Sequence, residues 1–365
     1  MPSPALNYEL RMNATEDLTP TQQRGVRKAA RAGLYYVNDF DAGYTRRRCG
    51  KGFTFLGCNG KTLKSPRVRD RIQSLVIPPA WTDVWICRKS NGHIQARGND
   101  EAERTQYLYH EKWQAISNAT KYDRMQLFAE VLPRIRRRVR KDLTGKRLER
   151  DRVLAAVLRL LDKAQLRIGN ERYVEERGTR GATTLTADHV EVDSFEITLD
   201  FPAKSGKRRT VNFRDKKASK VIQQCEELDG QYLFAYVDED GAEQSVDSSS
   251  VNFYLKEIAN EPITAKDFRT WWGSVTALDE IAEMPNDLSE SARKKLIGQA
   301  ISAASEVLGN TKAICRSSYI HPAIIAAAES NELPDLIGKC QSGKSMAELT
   351  NAEMLFANLL PKLDA

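Results

Sequence analysis

The sequence predicts an α+β protein, with a small, mainly antiparallel-β N-terminal domain and a larger, mainly α-helical domain that carries a small β-hairpin sheet. Three observations predict it. From residue 34 to about 109 the chain is rich in Tyr, Phe, Trp and Val and is broken at Gly52, Gly57, Asn59-Gly60 and Asn91-Gly92, the punctuation of short antiparallel strands. From about residues 117–120 the period changes: Leu127, Phe128, Val131, Leu132, Ile135 and Val139 recur at three- and four-residue spacing, as on a helix. Within that helical half, Val190, Val192, Ile197, Leu199 and Phe201 suggest strands, with a turn at Ala203-Lys204-Ser205-Gly206 and a return strand over 210–213. The expected division is a helical extension over 1–33, a mainly β domain over 34–117 and a mainly α domain over 118–365.

In chain order, residues 16–32 are polar and helix-prone. Ile77-Pro78-Pro79-Ala80-Trp81 is a stiff extended entry, because successive prolines fix φ and push their neighbours out of the helical region. Residues 85–90 and 93–97 form a hairpin around Asn91-Gly92. Gln106-Tyr107-Leu108-Tyr109 alternates, so both tyrosines project from one face. With Arg97 and Arg104 nearby, that face is either an aromatic pair on a sheet edge or a basic, aromatic surface for nucleic acid. Arg134, Arg136, Arg137 and Arg140 are expected to face away from the apolar stripe of their helix. A second helix, with Leu154, Val157, Leu158 and Leu161 on one side, runs into Leu166-Arg167-Ile168-Gly169-Asn170, where glycine marks a helix end. From Lys216 onward the chain reads as helical with one loop at 238–247, and no internal repeat is present.

Charge narrows the partner. Among 365 residues, 56 Lys and Arg stand against 49 Asp and Glu, a formal net charge of +7, which favours a polyanion over an acidic small molecule. The excess is concentrated at 45–51 and 134–152. Six cysteines without a C-x-x-C pair suggest a reducing compartment, and the N-terminus lacks signal-peptide character, so a cytoplasmic, nucleoid-associated protein with no membrane partner is expected. The sequon matches at Asn13 and Asn118 are then accidental.

Two nominal motifs fail on context. Residues 338–345, GKCQSGKS, fit the phosphate-loop pattern letter for letter, but that loop must follow a buried strand and open a helix, and here it follows NELPDLIGK. The four histidines are scattered, none at ligand spacing to a cysteine or to another histidine, so no metal site is expected. No cofactor site emerges either.

The chemistry gathers around residues 308–322, LGNTKAICRSSYIHP, in which Tyr319 is framed by Lys312 and Arg316. Other cations occupy special positions: Arg167 at a helix end, Lys204 at a hairpin tip and Arg269 in KDFRTW. A tyrosine attacking a phosphodiester builds charge on the nonbridging oxygens, which guanidinium groups neutralise through paired hydrogen bonds. The leaving sugar oxygen needs a proton, which a lysine can supply if neighbouring cations lower its pKa.

With IPPAW, QYLYH, LRIGN, GATTLTADHV, AKSGK and KDFRTW in order, the chain from about 34 to 322 resembles the type IB DNA topoisomerases, in their poxvirus-like and bacterial branch. The resemblance implies a clamp around double-stranded DNA, formed by a monomer without ATP, metal or other cofactor. It implies a catalytic set of Arg167, Lys204, Arg269, Asn310 and Tyr319. Many relatives carry histidine at the position of Asn310, and asparagine there can donate a hydrogen bond but cannot titrate. It also implies contacts to the DNA backbone by Tyr107, Tyr109 and Tyr173, with Gln106 and the IPPAW segment of Trp81 along the groove, and Arg97 beside the tyrosines is expected to join that surface. Tyrosine recombinases share the Arg, Lys, Arg and Tyr, but their His-x-x-Arg box is Lys266-Asp267-Phe268-Arg269 here. A third reading is an inactive protein that keeps the fold for DNA binding only.

Overall fold

The structure is a computed structural model and describes residues 20–38, 41–50, 52–101, 103, 105–285, 287–340 and 347–363. Residues 16–19 of the expected first helix, Arg104 and residues 341–346 of the phosphate-loop match lie outside the described residues. The chain divides into two compact units, Met1–Lys121 and Tyr122–Ala365.

In the first unit, α1 (Pro20–Arg31) precedes β1 (Gly43–Cys49), β2 (Gly52–Leu56), α2 (Pro66–Ser74), β3 (Thr82–Cys87), β4 (Ile94–Asn99) and β5 (Thr105–Tyr109). The strands form one antiparallel sheet in the order β2-β1-β3-β4-β5, and β3 and β4 are the hairpin expected around Asn91-Gly92. Strand alternation sorts the side chains. Val84, Ile86 and Ala96 meet Ile72 of α2 on one face, with Tyr44 and Leu108 packed beside them. The stiff IPPAW entry is held by a single guanidinium, since Arg46 donates to the carbonyls of Ile77 at 3.2 Å and Pro78 at 3.0 Å.

A long helix, α3 (Glu111–Asp142), begins earlier than the helical period suggested, and the division between the units falls within it. The second unit continues with α4 (Arg150–Lys163), α5 (Glu171–Arg177), β6 (Val190–Asp193), β7 (Glu196–Pro202), β8 (Arg208–Arg214), α6 (Lys216–Glu226), β9 (Ala235–Val237), β10 (Glu243–Ser245), α7 (Ser248–Ala259), α8 (Ala265–Ala282), α9 (Glu290–Leu308), α10 (Lys312–Ser318), α11 (Pro322–Glu329), α12 (Leu333–Gly338) and α13 (Asn351–Leu363). Its core is centred on α4, whose residues from Arg152 to Leu158 are all buried, and on α8, whose Trp271 packs against Phe128 of α3 and Phe356 of α13. A helix apolar nearly all round belongs inside a bundle, which explains why α4 shows more than the single stripe read from its spacing.

Two expectations are corrected. The segment after Lys216 is not helical throughout, because β9 and β10 pair as a short antiparallel hairpin around the 238–242 turn. Arg136 does not face solvent with its neighbours. It is 8% exposed, bonded through Nε and Nη2 to Asp162 at 2.8 Å each and through Nη2 and Nη1 to Glu353 at 2.7 and 3.0 Å. Helical spacing shows which residues share a face but not what a distant helix will bring against it. Here α13 brings a carboxylate from 217 residues away.

Candidate active site

Four of the five expected catalytic residues meet within the second unit, and local chain geometry explains how each arrives. Arg167 lies not on a helix end but on an extended segment between α4 and α5. That segment is fixed by the GATT turn: the N–H groups of Ala182 and Thr183 donate to the carbonyls of Arg167 and Ile168 at 2.8 and 2.7 Å. The contact is backbone to backbone, since a Cβ on Gly181 would fall 2.5 Å from Gly169 N, while Gly169 itself holds φ at +100°. The LRIGN and GATT motifs are therefore two halves of one mount.

Asn310 is placed by the end of α9. Gly309 takes the left-handed conformation at φ +58°, and the N–H groups of Gly309 and Asn310 return to the carbonyls of Glu306 and Ser305 at 3.1 and 2.9 Å, a Schellman closure. Asn310 Oδ1 then accepts a hydrogen bond from Arg167 Nη2.

Tyr319 closes α10. Its N–H donates to the Cys315 carbonyl at 2.9 Å, and its own carbonyl accepts from Ser274 Oγ at 3.2 Å. A Cβ on Gly273 would lie 2.8 Å from that carbonyl, so α8 seats the tyrosine's backbone only because it offers glycine there. On the far side, Tyr122 donates its hydroxyl to the Ile320 carbonyl at 2.7 Å, and His321 caps the N-terminus of α11 ahead of Pro322.

Arg269 projects from α8 into the same place, 3% exposed, with its guanidinium 5.1 Å from the centre of the Tyr319 ring. Its Nη1 and Nη2 donate to the carbonyls of Gln165 and Leu308, both at 2.7 Å. KDFRTW is thus sorted around one helix: Phe268 and Trp271 enter the core, Lys266 stays exposed and Arg269 enters the cluster.

Lys204 stands exposed on the 3-10 turn Lys204–Gly206 between β7 and β8. The side chain that this hairpin extends into the cluster is Arg209, which sequence reasoning missed. Its Nη2 donates to the carbonyls of Ala164 at 2.8 Å and Val307 at 2.9 Å, and its Nη1 donates to Leu308 at 3.2 Å. A signal was available, because Arg209 shares the inward register of Val211 and Phe213 on β8, and a cation on the apolar face of a strand needs a reason.

Among the described residues, none of Arg167, Arg209 and Arg269 has a carboxylate partner. They are compensated by carbonyls at the C-terminal ends of α4 and α9, where the helix dipole places partial negative charge. Burial, aided by the neighbouring cations, holds the guanidinium groups of Arg167 and Arg209 down to about 10. Burial acts on Tyr319 in the opposite sense, pushing its phenol up. Arg269, followed by Arg167 and Lys266, outweighs it and leaves the phenol below its ordinary value. Two donors, Arg269 Nε and Asn310 Nδ2, are buried without an acceptor. Unmatched donors beside cations that no carboxylate neutralises, and a phenol held below its ordinary value, suit an anion whose charge grows on several oxygens at once.

The expected DNA-contacting residues separate into groups. On the sheet of the first unit, Tyr107 and Tyr109 are 41% and 39% exposed with ring centres 5.9 Å apart. Arg97 sits directly across from Tyr107 and lies 5.2 Å from the ring of Trp85, another residue of this face that sequence reasoning passed over. Gln106 and Trp81 lie toward the other face, where Gln106 donates to Asp100 at 2.8 Å and Trp81 packs on the core. Tyr173, in the second unit, is 49% exposed on α5 beside Arg177.

Comparison with known proteins gives the family. Residues 110–336 match the family model of the eukaryotic DNA topoisomerase I catalytic core, and residues 52–100 match that of the bacterial DNA topoisomerase IB N-terminal domain. DNA topoisomerase 1B of Acanthamoeba polyphaga mimivirus is 29% identical over 285 residues, covering 76% of this chain and 85% of the relative. DNA topoisomerase 1B of vaccinia virus (strain Copenhagen) is 24% identical over 275 residues, covering 73% and 84%. DNA topoisomerase 1 alpha of Arabidopsis thaliana is 28% identical over 198 residues, covering 53% and 20%. With the catalytic-core match spanning more than half of its length, the chain belongs to the type IB DNA topoisomerases and is an isomerase of that type.

Proposed function

We propose that this enzyme relaxes positive and negative supercoils by cutting one strand of duplex DNA through Tyr319, letting the free end swivel, and resealing it. The Tyr319 oxygen attacks the phosphorus as its proton leaves to solvent, and the bond from phosphorus to the 5′ oxygen breaks. Lys204 gives that oxygen a proton, producing a 5′-hydroxyl end and a 3′-phosphotyrosyl link. Resealing is the reverse attack by the same hydroxyl. The link keeps the energy of the original ester, so no nucleotide is consumed, and arginine supplies the charge that a metal would otherwise bring.

The observation that carries this reading is the Tyr319 phenol, held below its ordinary value beside Arg269 and Arg167, neither of which has a carboxylate partner among the described residues. Arg167 and Arg269 would bind the nonbridging oxygens, and the unmatched Nδ2 of Asn310 would add a neutral hydrogen bond. Arg97, Tyr107 and Tyr109 would meet the DNA backbone from the first unit and Tyr173 from the second, so that a single chain holds one duplex as a clamp. Gln106 and Trp81 would support the edge of that surface.

Purified protein should relax plasmid of either supercoil sign in EDTA without nucleotide, and denaturant should trap a covalent adduct at the 3′ end of the cut strand. Tyr319→Phe should abolish both. A requirement for Mg²⁺ or ATP, or relaxation by Tyr319→Phe at the normal rate, would sink the proposal.

A further inference from the structure

We infer that Arg209 is a positioning residue for strand cleavage: it ties the hairpin that carries Lys204 to the C-terminal ends of α4 and α9, just ahead of Arg167 and Asn310, and so sets where the proton is delivered. The inference rests on the reading of Lys204 as the acid.

Three features of the hairpin lead to it. The turn is short and closed, with Ala203 N–H donating to the Lys207 carbonyl at 2.8 Å, so Lys204 moves with the strand ends. Arg209 is the first residue of β8 after that turn to face inward, opposite the buried Phe201, whereas its neighbour Arg208 faces out and pairs with Asp200 at 2.8 Å. One guanidinium then reaches both supports. Nη2 bonds Ala164 and Val307, and Nη1 bonds Leu308 and, at 3.5 Å, Gln165.

Those carbonyls are not arbitrary. Gln165 and Leu308 are also the two acceptors of Arg269, and each lies two positions before a site residue, Arg167 in one case and Asn310 in the other. Gly309 is part of the same joint, since a Cβ there would fall 3.2 Å from Arg209 Nη1. Arg209 therefore fastens the exposed hairpin of Lys204 to the segments that hold the charge clamps. A residue placed in this way acts on geometry, and its loss should fall on the step that needs Lys204 in register.

Leaving-group chemistry isolates that step. A bridging 5′ sulfur departs as a thiolate and needs no acid, whereas a 5′ oxygen does. Single-turnover cleavage should be measured on matched duplexes carrying one or the other, for the wild type, Arg209→Ala, Arg209→Lys and Lys204→Ala. Arg209→Ala should slow oxygen cleavage about 100-fold and sulfur cleavage about 3-fold or less, the pattern of a lost acid. Arg209→Lys keeps the charge but not the fork, and it should show the same selective loss to a smaller degree. It carries the test if Arg209→Ala does not fold.

Equal slowing on both substrates, or no slowing on either, overturns the inference. Lys204→Ala separates the two possible failures. Sulfur that fails to rescue Lys204→Ala overturns the acid assignment and this inference with it. Sulfur that rescues Lys204→Ala but not the Arg209 variants overturns the inference alone.

Discussion

Arg136 and Arg269 are both almost fully buried in the second unit, at 8% and 3% exposure, but opposite kinds of partner hold them. Arg136 is saturated by the carboxylates of Asp162 and Glu353, with Trp271 Nε1 bonded to Glu353 at 2.9 Å behind them. Among the described residues, Arg269 and its neighbours Arg167 and Arg209 have no carboxylate partner; they donate to carbonyls at helix ends, and Arg167 also to the Asn310 amide oxygen. A guanidinium matched by carboxylates has no field left to offer a ligand, and it locks helices together. One held by helix-end dipoles is kept in place without being neutralised, so its charge remains available to an anion. The same residue type thus builds a fastener in one place and, under the proposed function, an anion receptor in the other.

The widest test of this difference compares truncations of the two arginines. Arg136→Ala strands two buried carboxylates and should cost about 3–5 kcal/mol of stability, read by chemical denaturation. Arg269→Ala should instead lower covalent-adduct formation about 10²- to 10³-fold, the usual loss for one donor aimed at a developing oxyanion, with a smaller change in stability than Arg136→Ala. Equal destabilisation by the two variants would erase the distinction.

A smaller effect would convert one centre toward the other. Asn310→Asp keeps the acceptor for Arg167 and adds a charge, making the site resemble the fastener. Because a hydrogen bond between charged groups gains about 1 kcal/mol over a neutral one, stability should rise by about that amount while cleavage falls about tenfold or more. An Asn310→Asp enzyme that cleaves normally would show that the open charge of Arg167 is not what the reaction uses.

The smallest effect is in pH. Burial alone would push the Glu353 carboxyl up, but Arg136, with the Thr350 N–H and Trp271, holds it below the ordinary carboxylate range. A carboxyl lowered on folding contributes stability that is complete above its unfolded value, about 4.3, and is lost as pH falls through the folded value. The stability gap between wild type and Glu353→Gln should therefore be full at neutral pH and should shrink in acid. The site arginines carry the opposite sign. Their guanidinium groups are held down on folding, so keeping Arg167 and Arg209 charged opposes folding at any pH below about 10.

Much of the site was legible because its residues sit where local rules put them. The turn at Lys204 is a backbone event that residue types announce, whereas the glycine of LRIGN, read as a helix end, serves instead the close approach of Gly181. Arg209 was hidden because three consecutive basic residues, Lys207 to Arg209, look like a solvated strand start. Only the alternation into Val211 and Phe213 marks the third as inward. Trp81 and Gln106 were assigned to DNA through the resemblance, although the pleat carries Gln106 to the side opposite Tyr107. Arg136 was misassigned because its own helix holds nothing that foretells Glu353.

By itself the sequence determined the period of most elements, most of the turns that separate them and the residue types able to attack and bind a phosphodiester. These depend on backbone geometry over a few residues, where spacing is sufficient. Only the tertiary structure decided which arginines meet carboxylates and which meet helix ends. Those partners lie far apart along the chain, 143 residues between Arg167 and Asn310, 104 between Arg269 and Gln165 and 217 between Arg136 and Glu353. No local pattern encodes such a meeting, because it is set by how whole helices pack, and that packing determines whether a buried charge is spent or left open.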